Sequence, residues 1–161
     1  MNLLYYIQKI LMEGRLVMYK NKILIKNLPK SKEGDYLLTI NKGYDEIIKT
    51  IFLLGGICSL DQFKQIYKKI KPNLSDSYIN KITHKVTKEM EELKLIGTTN
   101  INKYKLVFLK RFSQTIISGD YNTYKRTNIT NLLKDKNLKI NLMKVEYYLK
   151  NNKILSLNNL S

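Results

Sequence analysis

Between Asp76 and Lys94 the apolar residues Ile79, Ile82, Val86, Met90 and Leu93 recur every three or four positions. That spacing gathers side chains on one stripe of an α-helix. Ser77, Asn80, Lys81, His84 and Lys88 fall on the opposite stripe, with Thr83 and Lys85 at its flanks. The pattern therefore predicts a helix with one face for a core and one for a polar partner.

Two helices are predicted upstream. Tyr44–Leu54 carries Ile47, Ile48, Ile51, Phe52 and Leu54 on its inner face, and Gly55-Gly56 ends it, because glycine accepts the left-handed backbone of a helix terminus. Ser59-Leu60-Asp61-Gln62 matches a capping box and opens a second helix with Leu60, Phe63, Ile66, Tyr67 and Ile70 inward, broken at Pro72-Asn73. Ser75 or Ser77 caps the third helix. After Gly97 the period changes from helical to alternating: Thr98–Ile101 and Tyr104–Leu109 read as strands joined at Asn102-Lys103.

The flanks are less regular. Met1–Met12 has helical spacing with a stop at Gly14, and Arg15–Leu28 alternates around a hairpin turn at Lys20–Lys22. Pro29–Asp35 reads as a loop, and Tyr36–Ile40 as a strand or the lead-in to the next helix. Phe112–Tyr124 is mixed, with a turn at Gly119-Asp120, and Ile129–Leu133 reads as a short helix. Asn137–Lys150 repeats Leu138, Leu142, Val145 and Leu149, a seam suited to packing on another helix. The expected fold is mainly α with a small β component. It divides into an N-terminal helix and hairpin extension (1–42), a core (43–111) and a C-terminal helical extension (112–161).

Charge sharpens this picture. The 161 residues hold 29 Lys+Arg against 13 Asp+Glu, a formal net charge of +16. A field of that sign attracts phosphate backbones and anionic surfaces. Lysine dominates (the only arginines are Arg15, Arg111 and Arg126), and an AT-rich coding sequence produces the same bias without selection for binding. Cys58 is alone, which excludes a disulfide framework and a cysteine-type zinc site; at a helix junction it is expected to be a buried thiol. His84 is the only histidine and lacks ligand or nucleophile partners at useful spacing. With no paired carboxylates and no phosphate loop, the sequence points to neither an enzyme nor a cofactor or small-molecule ligand. No apolar run reaches the ~20 residues that span a bilayer. The first residues lack the basic start and small-residue cleavage site of a signal peptide, so the cytoplasm is the expected compartment.

The run Leu60–Leu109 resembles the winged helix-turn-helix superfamily, within a core of about residues 44–110. The resemblance is carried by the capped helix Ser59–Ile70, the turn Lys71–Leu74, the long helix Ser75–Lys94, and its ending Met90-Glu91-Glu92-Leu93-Lys94-Leu95-Ile96-Gly97. Lys94 stands where the family often has glycine. The resemblance implies a double-stranded DNA binder whose helix 76–94 enters the major groove while the wing, 98–109, touches the backbone. Ser77, Asn80, Lys81, His84, Lys85 and Lys88 would then face bases and phosphates, and Asn102, Lys103 and Lys105 phosphates. Winged DNA binders often dimerise through extra helices, so a homodimer through the terminal helices is a further expectation. The family's small basic members include transcription regulators and plasmid or phage maintenance and transfer factors. Winged domains also serve as protein–protein modules, which leaves an interaction scaffold without specific DNA binding as the alternative.

Overall fold

The computed structural model describes residues 25–123 and 127–153. The expected helix Met1–Met12, most of the expected Arg15–Leu28 hairpin and the basic pair Lys125-Arg126 lie outside these residues.

The described chain is α+β: mainly helical, with one three-stranded antiparallel sheet. A single 3-10 turn, Lys30–Lys32, leads into α1 (Glu33–Asn41) and α2 (Tyr44–Leu53). Strand β1 (Ile57–Ser59) precedes α3 (Leu60–Ile70) and α4 (Asp76–Glu92). Then come β2 (Ile96–Ile101), β3 (Tyr104–Leu109), α5 (Arg111–Ser118), the short α6 (Ile129–Leu132) and α7 (Asp135–Asn151).

The sheet order is β1-β3-β2, so the β2–β3 hairpin receives β1 on the edge of β3. Ile57 pairs with Phe108 and Ser59 with Leu106, while Ile96 pairs with Leu109 and Ile101 with Tyr104. The loop of the hairpin is Asn102-Lys103, as the alternation predicts. Asn102 takes a positive φ of 54° there, a conformation that asparagine tolerates better than most residues.

Gly55 shows why its residue type matters. Its φ is +108°, and a Cβ there would collide with the Asn141 side chain of α7. The turn out of α2 therefore needs glycine twice over, for its backbone and for the close seating of α7.

The core gathers Ile47, Ile48 and Ile51 of α2, Phe63 and Ile66 of α3, Val86 and Met90 of α4, and Val107 and Leu109 of β3. Phe112 of α5 and Val145 of α7 belong to the same cluster, as does Ile25. Buried hydroxyls find backbone carbonyls both near and far in sequence. The Ser113 hydroxyl donates to the Leu95 carbonyl at 2.6 Å and Thr39 to the Asp35 carbonyl at 2.7 Å.

Four details differ from the sequence reading. Ile57-Cys58 is not a helix-helix junction but strand β1, held by its partners on β3 rather than by its own pattern. Residues 30–41 are helical, so only the start of the expected Pro29–Asp35 loop is irregular. The mixed stretch after Arg111 opens with a helix, α5. Thr83, placed at the flank of the polar stripe, is buried, its hydroxyl donating to the Ile79 carbonyl one turn back. The α7 seam packs on β1 and α3 of its own chain, with Val145 fully buried.

Candidate nucleic-acid interface

The N-terminus of α4 is fixed by Ser75, whose hydroxyl accepts from the Tyr78 amide at 3.2 Å. An extended Ser75 backbone and this bond start the helix where the polar stripe begins. From there the helix divides cleanly. Ile79, Thr83, Val86, Thr87 and Met90 are buried, while Ser77, Asn80, Lys81, His84, Lys85 and Lys88 are exposed. At ~100° per residue the six exposed side chains fan over an arc of ~140°, centred near His84 and Lys88, and run ~16 Å along the axis.

The stripe is not uniform. Ser77 Oγ lies 3.3 Å from the capping Ser75 Oγ, so that hydroxyl is partly engaged by the helix's own cap. Lys85, at one margin, lies in the field of Glu89, whose carboxylate is also held by Lys42 and Tyr44. Asn80, at the other margin, opens onto a groove of about 450 Å³ between α3 and α4 that is also lined by Lys64, Lys68 and Asp76. Lys68 spans that groove, donating to the Leu74 carbonyl and lying 3.5 Å from the Asp76 carboxylate. Lys81, His84 and Lys88 occupy the middle of the stripe, and among the described residues no hydrogen bond or ion pair engages their side chains.

Asn102, Lys103 and Lys105 are exposed around the tip of the β2–β3 hairpin. Between them Tyr104 is 69% exposed, an aromatic ring beside cationic and amide groups. Sequence reasoning did not single out Tyr104, nor Tyr78, which is 47% exposed on the first turn of α4. The signal was available in part: Tyr104 stands next to the turn, where an apolar ring has the least core to cover. Lys64 and Lys68 were also passed over, although they lie four residues apart on the polar side of α3.

Chemically, the two elements offer ammonium and amide donors, an imidazole, and amide and hydroxyl acceptors, with π-faces for stacking. Among the described residues no cluster of His, Cys, Asp or Glu is arranged to hold a metal, and no helix is long and apolar enough to cross a membrane. No family model, curated protein or solved structure matches this chain.

Proposed function

We propose that this chain is a non-enzymatic, basic winged helix-turn-helix protein that binds duplex DNA with sequence preference. In this reading α4 lies in the major groove and the β2–β3 hairpin is the wing on the adjacent backbone. The observation that carries it is the outward stripe of α4: six polar side chains on a capped helix, left exposed by every described element. A major groove about 12 Å wide admits one such helix. Asn80 is suited to an adenine edge, and Lys81, His84 or Lys88 to guanine or phosphate. The order helix, strand, helix, helix, hairpin, with β3 between β1 and β2, agrees with the same reading. So does Lys94, which takes a φ of +64° at the position where the family often has glycine.

The role that follows is a transcription regulator or a plasmid or phage maintenance or transfer factor working in the cytoplasm. A homodimer through the terminal helices belongs to the proposal. It would use the face of α7 that carries Met143, 67% exposed, because Val145 is taken up by the chain's own core.

The test is a gel-shift against random and AT-rich duplexes with the wild type and an Asn80→Ala, Lys81→Ala, Lys88→Ala variant. The proposal expects the wild type to bind and the variant to lose most of its affinity. Equal binding by both would move the contact off α4.

A second reading, a protein-interaction module on the same scaffold, is favoured by one observation. Ile101, Tyr104 and Leu106 of the hairpin and Leu138 and Leu142 of α7 wall an apolar groove of about 240 Å³. Absence of any duplex binding by the wild type would favour that reading.

A further inference from the structure

The base of the hairpin, at the opposite end from Asn102-Lys103, holds a second concentration of charge. Lys32, Lys94, Lys110 and Arg111 line one cavity of about 140 Å³, walled by the rings of Phe112 and Tyr121. No Asp or Glu lines it. The ion pairs among the described residues engage Lys42, Lys49, Lys68 and Lys139 and leave these four cations out.

The site is built rather than splayed. Arg111 stacks on Tyr121, its guanidinium carbon 4.3 Å from the ring centroid, and one terminal nitrogen donates to the Tyr121 carbonyl at 2.7 Å. Lys32 sits over Phe112, 5.4 Å from that centroid. Arg111 Nε is buried with no hydrogen-bond partner, an uncommon condition for a charged donor.

Two further features point the same way. Helix α5 begins at Arg111 with Lys110 as its N-cap, with no side-chain cap and no acidic residue in its first turn. A helix N-terminus carries partial positive charge and favours anions, so two cations placed there oppose it unless an anion is shared between them. Lys94, which brings a third, does so from a left-handed backbone at φ +64°.

We infer that this cavity binds a phosphate group. Four cationic residues and a helix N-terminus, bordering one volume, suit a tetrahedral dianion with several acceptor oxygens better than a planar carboxylate. A cavity of about 140 Å³ has room for a phosphate group. The cavity lies ~20 Å along β3 from the hairpin tip and beside the C-terminal end of α4.

Isothermal titration of the full chain in chloride buffer at constant ionic strength tests this, using inorganic phosphate and glycerol 3-phosphate as probes and acetate as control. Saturable one-site binding of a phosphate probe, with acetate silent, is expected, and the tighter of the two probes distinguishes free phosphate from a phosphate monoester. Lys94→Asn with Lys110→Gln should weaken it at least about tenfold, the loss typical of one or two charge-assisted hydrogen bonds. Lys94→Gly supplies a check on folding: relief of the left-handed lysine should raise the unfolding midpoint without phosphate, while the phosphate-dependent rise shrinks. No phosphate binding by the wild type, or equal binding by wild type and double variant (an adventitious ion only), would overturn the inference. So would a loss of duplex affinity in the double variant that matches its loss of phosphate affinity, since the cavity would then belong to the duplex contact.

Discussion

Tyr44 on α2 donates its hydroxyl to Glu89 on α4 at 3.0 Å. Lys42, in the turn between α1 and α2, reaches the same carboxylate at 2.7 Å. The bonds tie the start of α2 to the helix that presents the polar stripe, and so fix how α4 is rotated on the core. The Lys42 hydrogen bond, reinforced by Tyr44 and the charges of Lys42 and Lys85 against a burial penalty, holds Glu89 below its ordinary 4.5. A lowered carboxylate pKa contributes stability that is present above the unfolded value and is lost as pH falls through the folded one. Stability should therefore drop below about pH 4.5 in part through this residue. In Glu89→Gln that share of the acid dependence should vanish, with a loss at pH 7 of no more than about 1 kcal/mol because the pair is partly exposed. Tyr44→Phe should cost about 1 kcal/mol at neutral pH, and that cost should shrink as Glu89 is protonated, because the Tyr44 bond also lowers the Glu89 pKa. Urea midpoints between pH 3 and 7 measure both effects.

At the alkaline end the relevant groups are Cys58 and the tyrosines Tyr36, Tyr44 and Tyr67, all raised chiefly by burial. Burial pushes the Cys58 thiol up to about 12. Tyr36 is also raised to about 12, by burial first and by the nearby Asp45 charge second. A raised folded pKa gives stability that is complete below the unfolded value and fades as pH climbs toward the folded one. Stability should begin to fall near pH 9 through Cys58 and more steeply above pH 10 through Tyr36, Tyr44 and Tyr67 together. Cys58→Ala should remove the first part of that decline. In the native state at pH 8 the thiol should resist an aromatic disulfide reagent, and it should react at the rate at which the protein opens.

Legibility in the sequence followed the range of the forces involved. The stripe on α4 could be read because it repeats over 17 residues of one helix, and the Ser59–Gln62 cap because both of its bonds are local. Strand β1 could not: Ile57–Ser59 is too short to alternate and exists through its pairing with β3, some fifty residues away. The helix at Arg111 was hidden because Ser113 and Thr115, which look like surface residues, are buried there. The hydroxyl of Ser113 is satisfied by the carbonyl of Leu95, a partner no local pattern can announce. The cavity around Arg111 was illegible for the same reason. It joins Lys32, Lys94 and Lys110-Arg111 from three separate parts of the chain.

Gly97 and Phe108 give a packing prediction. They are cross-strand partners, and a Cβ on Gly97 would lie 2.5 Å from the Phe108 ring. The ring covers the glycine, and both belong to the part of the hairpin that β1 and α4 brace. Gly97→Ala must displace that ring or the strand, so it should destabilise by about 1–3 kcal/mol, the usual cost of overpacking. Gly97→Ala combined with Phe108→Leu should cost less than the sum of the two single changes. A double-mutant cycle from chemical denaturation measures the difference.

The DNA reading makes a quantitative demand on salt. Each phosphate neutralised by a lysine releases condensed counterions, so the logarithm of the binding constant should fall linearly with the logarithm of salt concentration, with slope about −0.9 per contact. If Lys81 and Lys88 meet phosphates, replacing both with alanine should make the slope shallower by about 2, for specific and random duplexes alike. Asn80→Ala should behave differently. It carries no charge, so the slope should stay, while the preference for the selected site over random duplex narrows by about 1–3 kcal/mol, the discrimination of one bidentate base contact. Lys103→Ala, at the hairpin tip, should follow the lysine pattern with a slope change of about 1. Fluorescence anisotropy between 50 and 200 mM salt resolves these slopes. A flat response for the wild type would show that the +16 net charge reflects residue bias rather than a phosphate-binding surface.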